Sequence, residues 1–318
     1  HYAEQFYGKI VLCNCDDPFE SNFCYFFMKN FNKLHLKKLI CTSYSSSKID
    51  QIKNNNQITL DMFLDELKCS NDNQGYVLTI SKMPGKDGEE VDDETIETIL
   101  LKKGTVKKLK GSGDFRTDEC IKYLKQCDIC CTNPPFSLFA ELFSLLIRYR
   151  KQFLLIGNQN AITYKEIFPY IKENKVWVGY RFGDMAFRVP ADTEPRNTRF
   201  WIDKTGQKWR SLGNAMWLTN IDIERRYHEL KLTKYFDPKI YPKFDNFDGI
   251  NVTRVADIPK DYDGIMGVPI TYIKYHNGSQ FEIIGEANHG SDNEFDLFKP
   301  RVNGKDLFKR ILIRRKDN

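Results

Sequence analysis

A chain of 318 residues with 41% apolar and 14% aromatic side chains can bury a sizeable core, which excludes a disordered or fibrous chain. The 48 Lys and Arg residues against 43 Asp and Glu give a formal charge of +5, which permits a polyanionic partner without demanding one. No apolar run approaches the ~18 residues of a spanning helix, so no membrane partner is expected. The nine cysteines lack the spacing of a disulfide framework or zinc ribbon and read as buried thiols in a reducing cytoplasm, with no metal.

In chain order, residues 9–15 (KIVLCNC) form an apolar run of strand length. Residues 21–34 then repeat Phe23, Phe26, Phe27, Phe31 and Leu34 at helical spacing behind Ser21 or Asn22 as cap. Residues 38–44 (KLICTSY) predict a second strand, so the chain opens as the strand, helix, strand unit of a parallel sheet. A polar stretch at 45–73 around one helix and a Gly- and acid-rich loop at 83–93 read as insertions. Thr117 predicts the cap of a helix to Lys125, and residues 128–132 a thiol-rich strand running into Asn133-Pro134-Pro135-Phe136. A helix over 138–150 and a strand over 153–157 continue the alternation of an α/β, doubly wound, Rossmann-like sheet, which holds to about residue 180. Aromatic β-rich segments follow, and a soft boundary near residue 220 separates a catalytic domain, 1–220, from a C-terminal region, 221–318.

Three polar signatures fall where ligands of parallel α/β sheets collect, outside the carboxyl ends of the strands. Asp16-Asp17-Pro18, leading to Ser21, is an acidic turn at a helix start that suits a cationic or amine-bearing ligand such as the sulfonium and amino group of S-adenosyl-L-methionine. An ordinary capped turn would show the same letters. Gly113-Asp114-Phe115 offers a carboxylate for an adenine amine and a ring to pack on it. It precedes the third signature by one helix and one strand, the spacing of a neighbouring strand in the same sheet.

That third signature, Asn133-Pro134-Pro135-Phe136, has a direct chemical use. The lone pair of an aromatic amine is delocalised into its ring and must be localised before the nitrogen attacks. The Asn133 side-chain oxygen and the Pro134 carbonyl can accept both amine hydrogens, with the prolines stiffening the pair. Phe136 can stack on a base rotated out of a duplex. RNA bases and protein glutamine are amine substrates too, and a DNA-recognition module without catalysis is a further reading.

These motifs resemble the EcoRI-type adenine-specific DNA methyltransferases, along nearly the whole chain. The matching residues are Cys13 to Pro18 with Ser21-Asn22-Phe23, Gly113 to Arg116, Thr132 to Ser137, Ile156 to Ala161, Gly183 to Phe187, Thr198 to Trp201, Ser211 to Asn214, Tyr262 to Gly264 and Met266 to Ile270. The resemblance implies a class I methyltransferase sheet with a C-terminal target-recognition region, methylating adenine N6 in double-stranded DNA from S-adenosyl-L-methionine. It further implies a cognate restriction endonuclease as functional partner and a bacterial, nucleoid-associated, cytoplasmic setting. Carried over by residue, Asp16, Asp17, Pro18 and Ser21 cradle the cofactor, Asp114 and Phe115 meet its adenine, and Asn133, Pro134, Pro135 and Phe136 catalyse. Asn158 and Asn160 would border the target pocket. An aromatic segment that closes over methionine in related enzymes would precede His1. The chain departs from the broader pattern in having no glycine in the turn after its first strand, and no acid at the end of its second.

For DNA contacts, residues 181–210 interleave Arg181, Arg188, Arg199 and Arg210 with Phe182, Phe187, Phe200, Trp201 and Trp209, a mixture suited to phosphates and base edges and also found in plain surface hairpins. Two lysine- and arginine-rich runs, Lys102, Lys103, Lys107, Lys108 and Lys110, then Lys309, Arg310, Arg314, Arg315 and Lys316, suit phosphates or plain solvated surface.

Overall fold

The computed structural model describes residues 3–44, 74–102, 104–287 and 299–316, and the chain divides into two compact units, His1–Ile156 and Gly157–Asn318. The polar stretch 45–73 with its expected helix, and Lys103, lie outside the described residues. No described helix is long and apolar enough to cross a membrane.

In the first unit the apolar runs become the strands β1 (Ile10–Asn14), β2 (Lys38–Ser43), β5 (Ile129–Thr132) and β6 (Gln152–Asn158), parallel in the order β2-β1-β5-β6. Nearly every residue of β1, β2 and β5 is buried, as expected of strands covered on both faces. Helix α1 (Asn22–Lys29) follows β1, capped by Ser21, whose hydroxyl accepts from the Phe23 and Cys24 amides. It stops earlier than the periodicity predicts, because the Asn30 amide closes back on the Phe26 and Met28 carbonyls. Phe31 and Leu34 are buried all the same, carried by the turns that follow. Helices α3 (Asp118–Gln126), capped by Thr117, and α4 (Phe139–Arg148) match the expected pair.

One expectation is corrected. The sheet continues beyond β2 through β3 (Tyr76–Ile80) and β4 (Val106–Lys108), joined by α2 (Asp93–Leu101), and both pairings β2–β3 and β3–β4 are antiparallel. The strand before Asp114 is therefore β4, with β3, β2 and β1 between it and β5. Two successive reversals leave β4 parallel to β2, so its end opens on the same side, and the following loop folds back across the strand ends. Gly75 and Gly113 make that crossing possible. A Cβ on either would overlap the Ser43 carbonyl oxygen, and Gly113 holds φ +79°.

In the second unit β7 (Trp177–Gly183) pairs antiparallel with β11 (Ala215–Thr219). Between them in sequence lies a three-stranded antiparallel sheet, in the order β8 (Ala186–Arg188), β10 (Lys208–Ser211), β9 (Phe200–Ile202). A four-stranded sheet follows, in the order β12 (Ile250–Asn251), β13 (Met266–Pro269), β17 (Arg310–Arg315), β14 (Phe281–Ala287), with β15 (Arg301–Val302) and β16 (Lys305–Asp306) as a hairpin of their own. The C-terminal basic run is spent inside this unit. Arg310 donates to Asn251 Oδ1, Arg314 pairs with Glu282, Arg315 with Asp263, and Lys316 reaches the Gly278 carbonyl.

Glu286 on β14 is 4% exposed, and its Oε2 has no hydrogen-bond partner. Burial pushes its carboxyl up to about 7 from the usual 4.5, against the pull of Lys309, whose ammonium donates to Thr163 Oγ1 at 2.9 Å. A carboxyl raised in the folded state favours folding while protonated, so that contribution is present below pH 4.5 and lost as pH rises through about 7. Glu286→Gln is therefore expected to match the wild type in denaturant unfolding near pH 4 and to be more stable by roughly 2 kcal/mol near pH 8, after discounting for solvent screening. Equal stabilities at both values would show that the carboxyl carries no burial penalty.

Candidate active site at the strand ends

Strand β1 leaves the sheet at Asn14, and the ends of three strands are tied together there. The Thr132 hydroxyl, at the end of β5, donates to the Asn14 carbonyl; Thr42 Oγ1, on β2, donates to Asn14 Oδ1 at 2.8 Å; and the Asp16 amide donates to the Thr42 carbonyl at 2.9 Å. Cys15 turns the chain with φ +66°, the left-handed region that glycine adopts freely. The turn thus gets its reversal from a cysteine.

The reversal sends Asp16 inward and leaves Asp17 on the turn. Asp17 Oδ1 accepts from the Phe19 and Glu20 amides at 2.8 and 3.3 Å and so shapes the loop around the buried Pro18. Asp16 is 6% exposed, with Oδ1 accepting from Ser21 Oγ at 2.7 Å and Oδ2 buried without a hydrogen-bond partner. The ionisable groups that face it are the thiols of Cys13, Cys15 and Cys131, and no cation pairs with it among the described residues. Burial pushes its carboxyl up to about 6 from 3.8, while the Ser21 and Thr132 hydroxyls pull it down.

Asp114 and Phe115 lie at the end of the crossing loop. Arg116 holds the Asp114 carboxylate through Nε at 2.9 Å and Nη2 at 2.6 Å and keeps it below the usual carboxylate range, while its Nη1 reaches Glu141 at 3.0 Å. Phe115 is 2% exposed, part of the core, with the Arg116 guanidinium 5.6 Å from its ring centre.

Asn133 follows β5 and is exposed; Pro134 is buried, and Pro135 is exposed. Phe136 is 53% exposed and opens a short 3-10 turn whose Leu138 amide closes onto the Pro135 carbonyl. Among the described residues nothing donates to the Asn133 side chain or to the Pro134 carbonyl. An exposed acceptor, Asn133 Oδ1, therefore stands unused at a strand end, followed by a carbonyl on the buried Pro134 that no described donor uses, beside an exposed phenyl ring. Cys127 and Cys130, before and within β5, are buried thiols; Cys127 Sγ donates to the Leu124 carbonyl, and burial pushes it up to about 12. Among the described residues no group of three or more His, Cys, Asp or Glu is placed to hold a metal ion.

In the second unit, Asn158 caps the 3-10 turn Gln159–Thr163 by accepting from the Asn160 amide at 2.9 Å, and Asn160 is exposed. Arg188, Arg199 and Arg210 gather on the three-stranded sheet, and Arg181 is exposed on β7. Arg199, at φ +56°, lies over Gly213, where any Cβ would overlap its guanidinium, and donates to the Leu212 carbonyl at 3.0 Å. The Ser211 hydroxyl meets Asp184 and accepts from the Gly213 amide, so the segments around Asp184 and Ser211 are locked together. Thr42, Thr132 and Asn14 were not legible as site residues, since a strand-end threonine carries no signal until the pairing is known.

An exposed acceptor at the end of one parallel strand, next to a buried carboxylate at the end of its neighbour, lies at the carboxyl edge of the sheet, where α/β proteins commonly take ligands. The chain belongs to the EcoRI adenine-specific methyltransferase family: the family model described as "Adenine-specific methyltransferase EcoRI" matches residues 1–316. It is 42% identical over 320 residues to the type II methyltransferase M.EcoRI of Escherichia coli, across 99% of this chain and 89% of that protein. It is 35% identical to the type II methyltransferase M.MgeORF184P of Mycoplasma genitalium, across 99% and 90% of the two chains. It is also 31% identical to M.MpnI of Mycoplasma pneumoniae, across 100% and 91%. No solved structure matches the chain.

Proposed function

We propose that this chain is a site-specific DNA adenine N6-methyltransferase of the class I, Rossmann-like type, using S-adenosyl-L-methionine. The observation that carries the reading is the exposed Asn133 Oδ1, followed by the Pro134 carbonyl, with no described donor on either, beside the exposed Phe136. In this reading the two oxygens hold both hydrogens of the exocyclic amine, localise the nitrogen lone pair and aim it, while Phe136 packs on the face of an adenine turned out of the duplex. Neither acceptor titrates near neutral pH, so the clamp orients the amine and takes no proton.

The residues around Asp16 fit the cofactor. A buried carboxylate whose second oxygen lacks a donor, and which no cation faces among the described residues, suits a ligand that brings both a positive charge and N–H groups. Asp16, Asp17, Pro18 and Ser21, with Asp114 and Phe115, would hold S-adenosyl-L-methionine, which when bound supplies the electrophilic methyl group. Asn158, Asn160, Arg181, Arg188, Arg199 and Arg210 are read as the DNA side, with residues 1–220 as catalytic region and 221–318 as target-recognition region. A type II setting supplies a cognate restriction endonuclease as functional partner and a bacterial, nucleoid-associated cytoplasm as location.

The test offers methyl-labelled cofactor to duplex DNA, tRNA and protein in parallel and then sequences the modified bases. Label in DNA alone, on adenine within one short sequence, is expected. Label in tRNA or on protein glutamine would replace the substrate, and no measurable cofactor binding in calorimetry would replace the enzyme by a recognition module.

A further inference from the structure

Central strand β10 pairs with β8 at one edge of the sheet and with β9 at the other. The register sets Trp209 directly opposite Arg188 across one pairing and opposite Trp201 across the other, so three side chains stand in a row on one face. The Arg188 guanidinium lies 5.4 Å from the Trp209 ring centre, and the Trp209 and Trp201 rings are 5° from parallel with centroids 6.3 Å apart. The middle ring is fixed. Trp209 Nε1 donates to Asp203 Oδ2 at 2.8 Å, and Asp203 Oδ1 is itself held by the Thr205 amide and hydroxyl and by the Gln207 amide. The row ends at Trp201, 42% exposed on the edge strand β9, with one face of its ring turned away from Trp209.

We propose that Trp201 is a stacking platform for an unstacked nucleobase of the DNA substrate, a proposal that rests on the DNA reading above. A flat ring at the open end of a fixed stack is extended by another flat ring, and every base offers one whatever its sequence. Charge decides the kind of partner. Residues 181–210 carry seven Lys and Arg against four Asp and Glu, and two of those acids, Asp184 and Asp203, are engaged by Ser211 and Trp209. Arg181, Arg196, Lys204 and Arg210 make no ion pair among the described residues, which leaves them for phosphates. An edge that attracted a second copy of this chain would instead meet the same excess of positive charge. Base extrusion, which the proposed chemistry requires, sends the adenine to Phe136 and leaves the base opposite it without a partner, free to unstack onto Trp201.

The test compares wild type, Trp201→Ala and Trp201→Phe on a duplex carrying the target sequence and on the same duplex with one unpaired base. Wild type is expected to prefer the unpaired-base duplex and to show tryptophan quenching on it. Trp201→Ala should bind that duplex about ten- to a hundredfold more weakly, with cofactor affinity unchanged, and Trp201→Phe should retain most of the preference. A wild type that binds DNA but shows neither preference nor quenching overturns the proposal, even if Trp201→Ala fails to fold. Equal binding by wild type and Trp201→Ala overturns it too, as does a dimer in sedimentation that Trp201→Ala dissolves. A wild type that binds neither duplex overturns the DNA reading itself.

Discussion

Asn133→Ala is expected to lower the rate of methyl transfer by roughly a thousandfold or more while cofactor and DNA affinities stay within a few-fold of wild type. The expectation follows from where Asn133 sits: exposed, at the end of a fully buried strand, with no described residue using its side chain. Its removal therefore takes nothing from the fold, and unfolding should shift by no more than about 0.5 kcal/mol. The loss falls on the transition state, because an amine with one hydrogen unheld keeps its lone pair in the ring. Asn133→Asp sharpens the result. A carboxylate keeps the acceptor and discards the amide N–H groups, so it should recover a substantial part of the rate if acceptance is the function. Single-turnover transfer at saturating cofactor and DNA measures this directly. An aspartate variant as inactive as the alanine one, or an alanine variant that also loses both ligands, would show that Asn133 does not act as an acceptor for the amine.

The parts of this architecture that could be read ahead of the structure are those in which one stretch of chain decides the outcome. The runs that became β1, β2 and β5 are continuous and apolar because both faces are covered, and Ser21 and Thr117 cap helices through bonds to their own next residues. Strand order is another matter. β4 is three residues, Val106-Lys107-Lys108, with two of its three side chains charged, and nothing in those letters says that it pairs with Tyr76–Ile80. Local spacing accordingly points Asp114 to a neighbouring strand, whereas a loop crossing at Gly75 and Gly113 brings it back. The Trp201 and Trp209 stack depends in the same way on a register between segments that local pattern does not set.

Two adjacent, chemically identical acids show the limit most clearly. Nothing distinguishes Asp16 from Asp17 until Cys15 adopts its left-handed turn and sends the first inward. From that burial an opposed pair of effects is expected for Asp16→Asn. In the ligand-free protein the carboxyl lies near 6, above its usual 3.8, so its stabilising contribution is present below pH 3.8 and lost as pH rises through about 6. An amide avoids that loss, and Asp16→Asn should be more stable than wild type near pH 8 by roughly 3 kcal/mol, with the difference gone near pH 4. Cofactor binding should move the other way. A cationic ligand selects the ionised carboxylate, so wild-type affinity should rise about tenfold per pH unit below 6 and level off above it. Asp16→Asn should lose about a hundredfold or more near pH 8 and show no such rise. Calorimetric titration with S-adenosyl-L-methionine across this range, beside thermal unfolding of the ligand-free proteins, reads both effects. A variant that gains stability yet binds as tightly as wild type would leave Asp16 a buried acid without a ligand. One that loses both stability and binding would mean that its contact with Ser21 at 2.7 Å, rather than its charge, is what the turn depends on.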